Sequence, residues 1–218
     1  MRSRTSAQHN SDRFARIIAF LKTITISAIK TMKKTTKKSS GWNAVRQQIS
    51  TWEKPELLDL LKDLYETAAD NRDFINARSK AANDGGEALK KYRGKIVEQF
   101  FPARDLGKLK LGEAHKAIRD YRKATGNIPD TVELMMTYVE NGTRFTHEYG
   151  DVDERFYDSV ESVLEELAAL LQGEARWLYP QFRDRLDKAE KMTQNIGWGF
   201  HDFVEEVVAQ LEAEVNGE

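Results

Sequence analysis

Thr143–Val160 reads T-R-F-T-H-E-Y-G-D-V-D-E-R-F-Y-D-S-V. Phe145 and Tyr149 stand four apart, Gly150 interrupts, and Asp151, Asp153 and Glu154 precede Phe156 and Val160. Apolar residues three or four apart mark one helix face, and glycine is a favoured helix stop. Carboxylates favour the positive N-terminal end of the helix that follows. One helix therefore stops at Gly150 and another starts a few residues later, the short connection of a helical bundle.

Working outward, the same period continues on both sides. Upstream, Met135, Tyr138, Gly142, Phe145 and Tyr149 recur at spacings of 3, 4, 3 and 4 behind Pro129, which suits a first helical turn. Downstream, Phe156, Val160, Val163, Leu164, Leu167 and Leu171 run to Gly173. Leu178, Phe182, Leu186 and Ala189 follow with Pro180 in the first turn, and Gly197-Trp-Gly-Phe-His-Asp202 turns into a last helix with Phe203, Val204, Val207 and Leu211 inward. Toward the N-terminus, Ala114, Ala117, Ile118 and Tyr121 form a small-residue stripe ended by Gly126, and Leu89, Tyr92, Ile96 and Phe100 form one ended by Pro102. A short helix fits Asn71–Ala82, and Leu57, Leu58, Leu61, Leu64 and Tyr65 share a face behind Pro55. No stretch alternates with period two. The expectation is an all-α fold, a single multi-helix bundle or helical array of about seven to eight helices with no sheet.

The 218 residues suffice for one domain with a sizeable core, 32% of them are charged, and there is no Cys. Disulfides, thiolate nucleophiles and cysteine-ligated zinc are therefore excluded, and a reducing cytoplasm is the expected setting. The net charge of -1 conceals an asymmetry: residues 1–41 hold 10 basic and 1 acidic side chains, and residues 126–218 hold 7 basic and 21 acidic. Residues 1–41 read as a basic, disordered extension and 42–218 as the helical domain, with Met32 read as the natural start. The apolar patch Ile17–Ile29 is 13 residues long and contains Lys22, short of the roughly 20 residues a spanning helix needs. No membrane association is expected.

Three blocks carry a resemblance: Phe101-Pro-Ala-Arg-Asp-Leu-Gly-Lys-Leu-Lys-Leu-Gly-Glu-Ala-His-Lys-Ala-Ile118, Tyr138-Val-Glu-Asn-Gly-Thr-Arg-Phe-Thr-His-Glu-Tyr-Gly-Asp151 and Ile196-Gly-Trp-Gly-Phe-His-Asp202. They resemble an uncharacterised bacterial family of all-helical proteins, the domain of unknown function numbered 6155. The resemblance implies a bacterial, cytoplasmic, all-α protein over about residues 50–215, and it brings no activity, cofactor or catalytic residue.

Two polar constellations stand out. His147 and Asp151, four apart, together with His201, Asp202 and Glu205, have the imidazole and carboxylate chemistry of a zinc, iron, manganese or nickel site. Glu148, Asp153 and Glu154 could add a ligand or a general base, and Trp198 lies beside His201. The opposing reading makes these acids helix-start charges and His201 a hydrogen-bonded turn residue. His201-Asp202 invites comparison with helical H…HD…D phosphohydrolases, but no later Asp follows. Dinucleotide, P-loop, G-x-S-x-G and H-E-x-x-H motifs are absent.

The second constellation is the basic belt of Lys90, Lys91, Arg93, Lys95, Arg104, Lys108, Lys110, Lys116, Arg119, Arg122 and Lys123. It could neutralise phosphates, or it could answer the acidic back half internally. Trp42, Trp52, Trp177 and Trp198 suit an interface, where tryptophan is enriched. The leading expectation is a protein-interaction or scaffold module with an unknown protein partner or self-association, without a cofactor. A nucleic-acid-associated protein using the basic belt is the alternative. A metal-dependent hydrolase using a divalent metal on His147, Asp151, His201 and Asp202 is the second.

Overall fold

The computed structural model describes residues 40–81, 86–104, 108–197 and 199–217. It is all-α, and among the described residues there are nine α-helices, one short 3-10 turn and no strand. The chain divides into two compact units, Met1–Lys62 and Asp63–Glu218. The basic extension expected over 1–41, with the alternative start at Met32, falls almost wholly outside the described residues. None of the described helices is long and apolar enough to cross a membrane.

In the first unit α1 spans Ser40–Ile49, and α2, Lys54–Thr67, begins there and runs on into the second. Pro55 lies in its first turn as expected, and Glu56 caps it by accepting a 2.8 Å hydrogen bond from the Glu53 backbone N–H. The leucine stripe is present as a pattern but not as a core. No residue of α2 is buried, and Leu58, Leu61 and Leu64 are 53%, 49% and 43% exposed.

The second unit contains α3 Ala69–Lys80, α4 Glu87–Phe100, α5 Leu111–Thr125, α6 Ile128–Tyr149, α7 Glu154–Gln172, α8 Tyr179–Met192 and α9 Phe200–Asn216. Its axis is α6, which packs against α4, α5, α7 and α8. Asn127 caps α6 by accepting from the Asp130 N–H at 3.1 Å, and Pro129 sits in the first turn. The helix buries Val132, Leu134, Met135, Met136, Tyr138 and Val139 in succession, so it is covered on nearly all sides. Each fully buried large side chain contributes about 1.5–3 kcal/mol relative to exposure.

Gly142 explains how closely α7 approaches: a Cβ built there would lie 2.6 Å from Val160 Cγ2. Edge-to-face contacts of Phe100 with Tyr138, at 5.2 Å between centroids, and with Phe156, at 6.3 Å, join α4, α6 and α7. The expected stop at Gly150 is there. Its φ of 88° and ψ of -167° lie in a region essentially restricted to glycine, and its N–H closes α6 on the Thr146 carbonyl at 2.9 Å. Asp153 is the N-cap of α7, accepting from the Phe156 N–H at 2.9 Å.

The last helix presents the expected face, lengthened by one turn at its start. Phe200, read as part of the turn, opens α9, and the buried series is Phe200, Phe203, Val204, Val208 and Leu211, with Val207 only half-buried.

Candidate functional site

The polar constellation resolves into separate local roles. His147 is exposed on the last turn of α6 and makes no hydrogen bond or ion pair among the described residues. Glu148 accepts from Arg144 Nε at 2.6 Å, and the Arg144 guanidinium lies 4.1 Å from the centre of the Phe101 ring. Asp151 turns away from α6. Its Oδ1 accepts from the Tyr157 hydroxyl at 3.2 Å and from the Gly197 N–H at 3.4 Å. The α6–α7 connection is thereby tied to the α8–α9 turn. The Tyr157 hydroxyl also contacts Thr146 Oγ1 at 2.9 Å and accepts from the Val152 N–H at 3.2 Å, while burial pushes the phenol pKa up.

His201 belongs to a different contact. Its Nδ1 lies 2.8 Å from Oγ1 of Thr193, a fully buried residue whose hydroxyl donates to the Glu190 carbonyl at 2.6 Å. A hydroxyl has one proton to give, so His201 Nδ1 carries the proton in this pair. Asp153 and Glu154 serve the start of α7, and Asp202 occupies the first turn of α9, where negative charge is favourable. Glu205 is exposed one turn on, and Trp198 lies outside the described residues. No group of three or more His, Asp or Glu side chains among the described residues is placed to hold a metal ion. Asp151 and His201 thus flank one turn without forming a common donor set.

The basic belt is partly consumed inside the second unit. Lys91 Nζ lies 2.5 Å from Asp73 Oδ1, an ion contact without aligned hydrogen-bond geometry, and Lys95 Nζ lies 2.7 Å from Asp73 Oδ2. Lys95 and Lys116 both reach Asp70 at 2.8 Å, and Lys116 also meets Asp120 at 2.8 Å. These contacts form an alternating chain of six charges that joins α3, α4 and α5.

Hydrogen bonds from Lys116 and Lys95 hold the Asp70 carboxyl down at about 2. For Asp73, burial acts upward, but the ammonium groups of Lys91 and Lys95 outweigh it and the net shift is downward. Arg93 pairs with Glu133 at 2.5 Å and Arg122 with Glu174 at 2.8 Å. Lys90, Arg104, Lys108, Lys110, Arg119 and Lys123 make no ion pair among the described residues. Lys108 and Lys110 line an open cleft of about 360 Å³ whose other walls include the paired Asp70, Lys95 and Lys116.

The remaining feature is apolar, and the expectation of exposed tryptophans touches it in part. In the first unit Trp42, Val45 and Trp52 are 56%, 46% and 40% exposed, and Leu58 and Leu61 of α2 are exposed as well. The stripe was legible as a pattern; its lack of cover had no sequence signal. Trp177, in the 3-10 turn Arg176–Leu178, is 63% exposed. Comparison with protein-family models, with curated proteins and with solved structures finds no match.

Proposed function

We propose that the chain is a protein-interaction module that docks a partner on the apolar stripe of α2. The supporting observation is a 14-residue helix with leucines at helical spacing and not one buried residue. Half-exposed leucines are ordinary singly, but a continuous row on one helix marks a binding surface. Helix-in-groove recognition uses this kind of anchor spacing. Within the polar constellation Asp151, Asp153 and His201 support a structural role, since they are engaged in a cap and in turn contacts. Kinship with the uncharacterised helical family, and with it a bacterial cytoplasmic setting, rests on the three quoted blocks.

A photo-crosslinking residue placed at Leu61 in living cells tests the reading, with exposed Lys188 as the control position. A discrete protein adduct at position 61 that is missing at 188 supports it. Identical adduct patterns at the two positions, or no adduct at 61, sink it.

A further inference from the structure

We infer that the partner taken by α2 is an amphipathic helix with basic flanks; this deepens the docking reading and rests on it. The argument begins with charge. Over residues 53–66, Glu53, Glu56, Asp59, Asp63 and Glu66 set five carboxylates against Lys54 and Lys62. None of the five is in an ion pair among the described residues. Some acids elsewhere have such partners, Asp70, Asp73 and Asp120 in lysines and Glu133, Glu140, Glu148, Glu174 and Glu212 in arginines. The helix that carries the uncovered leucines therefore has an acidic surplus with no described cation in an ion pair with it.

Their placement on the helix matters as much as their number. At 3.6 residues per turn, Glu56 and Asp63, seven apart, fall on one line along the edge of the Leu57, Leu61 and Leu64 stripe. Asp59 and Glu66 lie on the back. A helix seated on the stripe would bring its own edge against the Glu56–Asp63 line, as the edge positions of paired helices do. Lysine or arginine there gains attraction, and glutamate meets repulsion. The same line disfavours anionic lipid and nucleic-acid phosphate as occupants, because both carry the wrong sign.

The test uses the full chain and two fluorescein-labelled 18-residue helical peptides of identical apolar pattern, one with Lys and one with Glu on its flanks. Anisotropy titrations should show the Lys-flanked peptide binding about tenfold tighter at low salt, the sum of a few exposed pairs. In Glu56→Gln/Asp63→Asn the two peptides should bind within about twofold of each other. In Leu58→Gln/Leu61→Gln both should be lost, and because α2 buries nothing that variant keeps its fold.

Equal binding of both peptides to the unmodified chain overturns the charge inference and leaves the docking reading standing. Peptide binding that survives Leu58→Gln/Leu61→Gln overturns both. Self-association that disappears in the leucine variant, with no peptide bound, assigns the stripe to a second copy and overturns the inference. Binding seen only after removal of residues 1–31 assigns it to the chain's own N-terminal segment, and overturns it as well.

Discussion

At Gly142 one hydrogen atom separates a fitted contact from a clash. The helix would gain propensity from alanine, by about 1 kcal/mol relative to glycine. The added methyl would meet Val160 Cγ2 at 2.6 Å, on a fully buried and rotationally stiff side chain. Overpacking of this kind typically costs about 1–3 kcal/mol, so Gly142→Ala should lower stability in urea denaturation despite its propensity. Combining it with Val160→Ala should cost less than the sum of the single changes. Additive effects would show that the two positions do not meet.

Asp70 gives a second prediction at this scale. Its carboxyl is lowered from 3.8 to about 2 by Lys116 and Lys95. The stabilisation is therefore complete above the unfolded value and is lost as pH falls through the folded one. Asp70→Asn should flatten the loss of stability between about pH 4 and pH 2, followed by urea midpoints across that range. Because the side chain is 51% exposed, the effect will be a fraction of what the shift alone implies. Gly142 was legible in the sequence as a member of the 3-4 stripe. The Asp70 cluster was not, because Lys95 and Lys116 lie 25 and 46 residues away and only packing brings them to it.

Among the elements, α2 and α6 show what periodicity can and cannot say. Both carry apolar residues at helical spacing, and both form helices where that spacing placed them. The pattern identifies an apolar face; whether another element covers it depends on the tertiary arrangement. The place of Phe200 in α9 and in the core was hidden for a local reason, since two glycines around Trp198 disguised it as a turn residue.

The contrast between α2 and α6 predicts opposite responses to substitution. Leu58→Gln/Leu61→Gln should leave the melting temperature within about 2 °C, because surface changes outside caps and cores stay within about 0.5 kcal/mol. Leu134→Ala, at a fully buried position of α6, should cost about 2–5 kcal/mol. A thermal melt of each variant decides it. A large loss in the α2 variant would mean that the stripe is covered in the chain as it stands.

At the scale of the molecule, the opposition between a basic middle and an acidic C-terminal half becomes partly an internal match. Arg93 of α4 and Arg122 of α5 cross to Glu133 and Glu174, while Arg185 of α8, itself within the acidic half, also meets Glu133 and takes Glu140. The Arg185 guanidinium makes four hydrogen bonds to the two carboxylates, at 2.5 to 3.1 Å. Hydrogen bonding to Glu140, followed by that to Glu133, raises its pKa against the opposing effect of burial. Composition shows that such matching is available; it does not show which arginine meets which acid, because the partners lie 40 to 52 residues apart.

The prediction at this scale is a difference in salt response. Arg122–Glu174 joins side chains that are 45% and 54% exposed, a setting in which ion pairs contribute about 0–1 kcal/mol and are screened by salt. Arg185 is 29% exposed between acids that are 22% and 36% exposed, and its loss strands the half-buried Glu140 and leaves Glu133 to Arg93 alone. Arg185→Ala should therefore cost more than Arg122→Ala in urea denaturation at 50 mM salt. Most of that cost should persist at 500 mM, where the Debye length is shorter but the partly buried pair is little screened. Equal costs that both vanish at high salt would mean that the bridge from α8 to α6 is an ordinary surface contact, with apolar packing alone joining those helices.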